Sequence, residues 1–150
     1  MMYKTHLAFS FLLVMFTIPL FNPSNQILFL GIALISSMLP DIDHPESKLG
    51  RYFKPLSFLF EHRGFFHSVF PLMIFGFVLL TYTRRIYVIA FVVGYTSHLI
   101  GDLITRQGIM PFHPISKIRI RGFLRTGTFL EFLIFLIFII INIILVIKMP

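Results

Sequence analysis

Two side chains that commonly bind metals lie four positions apart near the end of a long uncharged stretch. His98 lies within that stretch and Asp102 directly follows it. Residues four apart share one face of a helix, so the pair could chelate one cation or bind two adjacent cations. The alternative is a hydrogen-bonded pair that closes the helix end. Because an unpaired carboxylate is costly in an apolar helix, we predict that the pair binds a metal.

A second candidate pair, Asp41 and Asp43, lies between Pro40 and Pro45. The prolines predict a non-helical segment, and residues two apart in an extended segment point to the same side. Two carboxylates on one side repel each other unless a cation lies between them. A turn after a helix explains one Asp well and two poorly, so we predict that at least one of them binds a metal.

Three histidines extend this set. His62 and His67 are five apart, which is wrong for one helical face. They can meet if His62 lies in a loop and His67 in the first turn of the next helix, with Gly64 permitting the bend. His6 lies at the start of the first apolar stretch. An ordinary position at the membrane interface is the alternative for all three histidines.

Glu131 lies near the start of the last apolar stretch. A carboxylate there is already favoured by the helix dipole, but its depth beyond the preceding cation, Arg125, predicts a buried partner. Glu46 and Glu61 have polar or cationic neighbours and are predicted to be solvated loop charges. The role of His113 is left open.

The composition limits both the fold and the chemistry. The 150 residues are 57% hydrophobic, with 13 Lys plus Arg and 6 Asp plus Glu. These charges are too few to cover a water-soluble globule of this size, which indicates an integral membrane protein. The sequence contains no cysteine. Any metal must therefore be held by imidazole and carboxylate groups.

The uncharged stretches predict an all-α, polytopic membrane protein of about five transmembrane or membrane-embedded helices in a single domain, residues 1–150. The predicted helices cover residues 7–21, 27–39, 64–83, 86–101 and 132–147. The first two are shorter than the roughly 20 residues that span a bilayer, so they must use flanking residues, thin the bilayer locally or pack against neighbouring helices. The third is long enough to span alone. The first stretch lacks a signal-peptide cleavage pattern, so we expect it to be retained.

The charges divide unequally between the two membrane faces of this arrangement. Arg84, Arg85 and Lys148 lie on one face, and the other ten cations lie on the opposite face with all acids and histidines. The positive-inside rule predicts that this second face is cytoplasmic. Imidazoles and carboxylates drawn together from several helix ends are what a metal site without cysteine requires.

Two longer loops, residues 41–63 and 106–125, also lie on the predicted cytoplasmic face. In residues 49–60 aromatic and cationic side chains alternate, which predicts a segment in the lipid headgroup layer. Lys117, Arg119 and Arg121 alternate with isoleucines, which predicts an extended piece with three cations on one side.

In order and spacing, three separated motifs resemble the YdjM-like family of inner-membrane metal-dependent hydrolases. They are residues 40–45, His62-Arg63-Gly64 with His67-Ser68, and residues 94–102 with Thr105 and Gly108. The family is grouped with zinc-dependent phospholipases C and single-strand-specific zinc nucleases. The resemblance implies a ligand set of His6, Asp41, Asp43, His62, His67, His98, Asp102 and Glu131. It also places Arg63 to meet a phosphate. Phe66 and His113 depart from the family pattern, in which a Thr and an aromatic such as Trp are usual.

These observations predict a membrane-bound metal-dependent hydrolase that acts on phosphodiester or phospholipid-headgroup substrates at the cytoplasmic face of the inner membrane. One or more divalent ions, with Zn²⁺ expected, would activate water and polarise the phosphoryl group. Asp41 or Asp43 would accept the proton of the water. Arg63, with Arg51 and the cations of residues 117–125, would hold the substrate or an anionic lipid.

Two other functions remain open. A metal transporter would also collect His and Asp, but it should carry ionisable residues through the membrane midplane, and the predicted far face holds neither acids nor histidines. A non-enzymatic membrane protein would use the polar cluster only for packing. A nucleic-acid partner is disfavoured because six acids accompany the ten cations and membrane orientation explains the basic excess.

Overall fold

Five α helices form the fold in this computed structural model, which describes residues 1–53, 55, 59 and 61–148. They are α1 Tyr3–Phe21, α2 Gln26–Ser36, α3 Val69–Tyr82, α4 Arg85–Leu103 and α5 Phe129–Lys148. Short 3₁₀ helices cover Leu39–Asp43, Gly50–Tyr52 and Phe65–His67. In the described residues the only β pairing consists of two isolated bridges. The all-α prediction is confirmed.

In the part of the chain that the structure describes, four stretches are long and apolar enough to cross a membrane. They are Tyr3–Phe21, Gln26–Asp43, Arg85–Leu103 and Phe129–Lys148. The 14 residues of α3 cover only about 21 Å at 1.5 Å per residue. The prediction of a third helix long enough to span alone is therefore wrong. Arg63, at φ 62°, turns the chain, and α3 begins only after Ser68, whose Oγ accepts from the amide of Phe70 at 3.3 Å.

The first two helices form the predicted hairpin. Asn22, at φ 39°, ends α1, and Asn25 Oδ1 accepts a hydrogen bond from the amide of Leu28 at 2.9 Å to start α2. The predicted use of flanking residues is confirmed before the first apolar stretch and after the second. Helix α1 begins at Tyr3, and the α2 chain continues through a turn into the 3₁₀ helix Leu39–Asp43.

Helix α4 is the central element, because it packs against α1, α2 and α3. A Cβ on Gly94 would overlap the carbonyl oxygen of Ala33 and Oγ of Ser36, so the glycine allows α2 and α4 to approach closely. Ser36 Oγ also donates to the carbonyl oxygen of Phe91 at 3.1 Å. This packing fixes the C-terminal end of α4, which carries His98 and Asp102.

The proline-flanked segment after α2 is helical, so the prediction of an extended piece is wrong. Pro40 lies at the start of the 3₁₀ helix Leu39–Asp43, where its missing N–H costs little, and Pro45 follows the helix end. A 3₁₀ helix has three residues per turn. Asp41 and Asp43 therefore point in different directions and meet different neighbours.

Backbone hydrogen bonds hold the second long loop, residues 106–125, in place. Ile120 exchanges both of its backbone hydrogen bonds with Ile109, at 2.9 and 3.1 Å, and the amide of Gly122 donates to Thr105 at 2.9 Å. The extended piece predicted around Arg119 and Arg121 is confirmed there. Of the predicted headgroup segment, residues 54, 56–58 and 60 lie outside the described residues, and its membrane contact stays a prediction.

Candidate metal centre

Histidine and aspartate side chains from four separated segments meet at one end of the helix bundle. The segments are the start of α1, the 3₁₀ helix after α2, the turn before α3 and the end of α4. Among the described residues, three overlapping groups could each hold a metal ion: His6, His98 and Asp102; Asp41, His67 and His98; and Asp43, His62 and His67. The structure thus brings together seven of the eight predicted ligands.

Five of the separations among four possible ligand atoms are close to the edge length of a zinc tetrahedron. His67 Nε2 lies 3.3 Å from His98 Nε2, and it lies 3.5 Å from both Asp41 Oδ1 and Asp102 Oδ2. His98 Nε2 lies 3.6 and 3.7 Å from the same two oxygens. Ligands placed about 2.0–2.1 Å from a tetrahedral zinc are about 3.3 Å apart. The donor types and their separations therefore fit a Zn²⁺-sized ion.

His98 is held in the orientation that a ligand needs. Its Nδ1 donates to the carbonyl oxygen of Ser37 at 2.7 Å, which leaves the lone pair of Nε2 directed at the cluster. The His6 ring stacks on it at 4.0 Å with an interplanar angle of 6°. His98 and Asp102 share the predicted helix face, and the neighbours at both residues fix their positions.

Asp102 is surrounded by cationic groups and donors. Nη2 of Arg63 and Nε2 of His6 each lie 3.2 Å from Oδ1, and the Met1 amino group lies 2.6 Å from it. Arg63 also donates to the carbonyl oxygen of Gly108 at 3.1 Å. Its guanidinium is buried and holds Asp102 in place. The predicted contact of Arg63 with a phosphate stays a prediction.

Asp43 and His62 form a second pair beside the four-atom cluster. Asp43 Oδ1 lies 2.8 Å from His62 Nδ1, and Oδ2 lies 3.5 Å from His67 Nδ1. Within the described chain, Asp43 Oδ2 and His67 Nδ1 are buried without a hydrogen-bond partner. Such atoms are costly to bury, which favours a cation at this place.

His67 lies between the two carboxylates of the 3₁₀ helix and is fully buried. Burial alone lowers the pKa of this ring, but the carboxylates of Asp41, Asp43 and Asp102 raise it more, to about 9. Without a metal, a protonated imidazole therefore supplies the positive charge between the carboxylates. A metal ion would replace that proton.

Glu131 is fully buried but belongs to none of the three groups. Its carboxylate accepts from the amides of Met2 at 2.5 Å and Gly127 at 2.7 Å. It thereby links the start of α5 to the residues that precede His6. Its role as a metal ligand stays a prediction.

A cavity of about 930 Å³ opens beside the cluster. Asp41, with 29% of its side chain exposed, and His62, with 35%, connect the cluster to it. The cationic side chains that line the cavity are Lys48, Arg51, Arg63, Arg106, Arg119 and Arg121. This geometry allows an anionic molecule to approach the candidate metal centre.

Three contributors were missed by sequence reasoning. The carbonyl of Ser37 orients His98, and a backbone acceptor leaves no residue-type signal. Tyr95 Oη donates to the carbonyl oxygen of Phe66 at 2.5 Å and so anchors the turn that carries His67. The His44 ring packs edge-on against His62 at 4.5 Å and lines the cavity. Its position beside Asp43 was the available signal.

Comparisons with known proteins agree with the fold and the location. The sequence profile of the YdjM inner membrane protein family matches residues 1–149. The Bacillus subtilis (strain 168) protein YvsG is 34% identical over 113 residues, which cover 71% of this chain and 71% of YvsG. The inner membrane protein YdjM of Escherichia coli (strain K12) is 37% identical over 90 residues, 51% of this chain and 44% of that protein.

The YdjM protein of Shigella flexneri is also 37% identical over 90 residues. The matched residues cover 44% of each of these two relatives, which is less than half of their length. No solved structure is significantly similar to the chain. The family match covers nearly every residue, and the helices are apolar enough to cross a membrane. The chain therefore belongs to the YdjM inner membrane protein family.

Proposed function

We propose that this chain is a membrane-bound, metal-dependent hydrolase of phosphodiester or phospholipid-headgroup substrates. The observation that carries the proposal is a set of His and Asp side chains, in three overlapping groups, that borders an open, cation-lined cavity. A structural metal site is closed by protein ligands, whereas a catalytic site keeps access to water and substrate. Asp41, which belongs to the set and lines the cavity, provides that access.

His67, His98 and Asp102 would hold a divalent ion, which we propose to be Zn²⁺, and Asp41, on the cavity side, would be a ligand that shares the ion with water. When bound, the ion supplies a Lewis acid that polarises a phosphoryl oxygen and acidifies water. Asp43 is buried, so we assign the proton contact to His62, which lines the cavity and is paired with Asp43 at 2.8 Å. The pair would accept the proton of the attacking water.

We further propose that the site faces the cytoplasm. The ten cations on its side of the membrane, against three on the other, support this orientation. At that face, phospholipid headgroups lie beside the helix ends that form the centre. A lipid phosphodiester would reach the cavity without leaving the interface.

The experiment is to purify the full chain in neutral detergent, measure bound metal by mass spectrometry, and assay an aryl phosphodiester and phospholipids. We expect at least one zinc per chain and hydrolysis that chelation abolishes and zinc restores. Asp102→Asn should lose both metal and hydrolysis. Glu61→Gln, which changes an exposed carboxylate, should lose neither. Wild-type protein that binds no metal and hydrolyses no diester would overturn the proposal.

A further inference from the structure

We infer that the cavity binds phosphate esters that carry a second phosphate group, which Arg119 and Arg121 hold while the first lies at the metal centre. The inference rests on the proposed function, because that function places the cleaved phosphate at the metal. It deepens that function by naming the class of substrate. It depends on the charges of the cavity, their rigid placement and the contacts that each arginine already makes.

The charge around the cavity exceeds what one phosphodiester needs. Its lining has six cationic side chains and two carboxylates, Asp41 and Glu46. Asp41 is assigned to the metal, so Glu46 is the only other lining carboxylate among the described residues. A headgroup with a positive amine would meet mainly like charge, whereas a second phosphate would meet opposite charge.

Arg119 and Arg121 lie on a rigid segment. They flank Ile120, whose two backbone hydrogen bonds to Ile109 fix the segment, and both line the cavity. The next amide along, from Gly122, bonds to Thr105. The fixed backbone limits the entropy that the arginines lose on binding, and each planar guanidinium can match phosphate oxygens with two N–H groups.

The loop arginines remain available for a ligand, unlike Arg63. Within the described part of the chain, Arg121 makes no ion pair or side-chain hydrogen bond, and Arg119 has only an exposed Glu61 at 3.9 Å and a weak backbone contact at 3.4 Å. Arg63 is buried against Asp102 and Gly108. We therefore assign the second phosphate to the two loop arginines, Arg119 and Arg121.

Membrane orientation alone would also place cations on this face, and Arg125 separates the two explanations. It lies in the same loop and carries the same charge, but it does not line this cavity. Loss of Arg125 should change the general surface charge as much as loss of Arg121. Only loss of Arg121 should change binding inside the cavity.

The test measures binding to the full chain with zinc present, in neutral detergent at low temperature and before measurable turnover. The membrane pair of probes is cardiolipin, with two phosphates, and phosphatidylglycerol, with one. The soluble pair is their deacylated headgroups. We expect the two-phosphate member of at least one pair to bind about tenfold tighter or more, as charge-assisted hydrogen bonds allow. The pair that shows the preference identifies a membrane or a soluble source.

Arg119→Gln and Arg121→Gln should each remove about tenfold of that preference, and Arg125→Gln should leave it unchanged. Equal affinity for one and two phosphates in both pairs would overturn the inference. So would an Arg125→Gln effect as large as that of Arg121→Gln. If the preference holds and the zinc-loaded protein hydrolyses none of the probes, the proposed hydrolase fails while the binding site stands.

Discussion

At the scale of single residues, Arg63 separates two roles that the sequence could not distinguish. The family resemblance implies a contact with phosphate, whereas the structure shows the guanidinium against Asp102, with Gly108 and Thr105 as further partners. Groups that orient a metal ligand commonly change metal affinity by about 10–100-fold when they are removed.

We predict that Arg63→Lys lowers zinc affinity by about 10–100-fold, because a lysine ammonium group cannot make the three hydrogen bonds that the planar guanidinium makes. Competition with a chelating zinc indicator would measure this change. Arg51→Lys, at an exposed position of the same cavity, is the matched control and should keep zinc affinity. A higher KM with unchanged zinc affinity would instead assign Arg63 to the substrate.

Gly101 gives a second residue-scale prediction. A Cβ at this position would lie 2.9 Å from Cε1 and Nδ1 of His6, so Gly101→Ala must displace the imidazole that contacts Asp102. We expect a loss of roughly 1–3 kcal/mol in unfolding free energy and weaker zinc binding. Chemical denaturation and zinc titration measure the two effects.

Gly76→Ala is the control for Gly101→Ala, because a Cβ on this α3 glycine meets nothing within 4 Å. It should be neutral or stabilising by up to about 1 kcal/mol, since alanine favours helix more than glycine does. Unchanged stability and zinc affinity in Gly101→Ala would show that His6 does not need its observed position.

At the scale of elements, the contact between α2 and α4 positions the centre. We predict that Gly94→Ala costs roughly 1–3 kcal/mol or more, because the added Cβ would overlap the backbone carbonyl of Ala33, which a side-chain rotation cannot relieve. Zinc affinity should fall as well, because His98 lies on α4 and its acceptor Ser37 follows α2.

Thermal unfolding in detergent and zinc titration test Gly94→Ala against Gly31→Ala. Gly31 lies in α2, the helix against which Gly94 of α4 packs, but a Cβ on Gly31 meets nothing within 4 Å. Equal behaviour of the two variants would contradict the close approach of α2 and α4.

The elements also show where sequence reasoning succeeded and where it failed. The uncharged stretches of the sequence predicted the helices. The four-residue spacing of His98 and Asp102 predicted that both lie on one helix face. Sequence reasoning missed the 3₁₀ helix at Asp41 because proline interrupts a helix interior, whereas Pro40 lies at the helix start, where proline is well tolerated. The late start of α3 was missed because its boundary depends on the turn at Arg63, which hydropathy does not report.

At the scale of the whole molecule, the sequence predicted that the candidate ligands converge at one end, and the structure brings seven of the eight together there. Which ligands group together was not predictable, because the pairing of His62 with Asp43 and of His98 with Asp41 depends on the tertiary packing of four segments. Hydrolysis, zinc and the side of the membrane remain proposals.

We predict that single cysteines at Ser24 and Lys117 are labelled from opposite sides of the membrane. Ser24 lies in the α1–α2 turn and Lys117 in the loop that follows α4, and the native sequence has no cysteine to interfere. Membrane-impermeant maleimide on intact cells should label only Ser24→Cys, while Lys117→Cys should require permeabilisation. Labelling of both from outside would contradict the predicted topology.

The gathering of Asp41, His67, His98 and Asp102 has a consequence for unfolding. These residues come from three separated segments, and His67 and His98 are 31 positions apart, so one coordinated ion would close more than one long loop of the chain at once. Such closure restricts the unfolded ensemble in the manner of a disulfide network, which this cysteine-free sequence cannot form. At a free zinc concentration 100 times the Kd, binding would add about 2.7 kcal/mol to the stability. Chelation should therefore lower the melting temperature and first increase hydrogen exchange at the end of the bundle where the segments that carry these ligands meet.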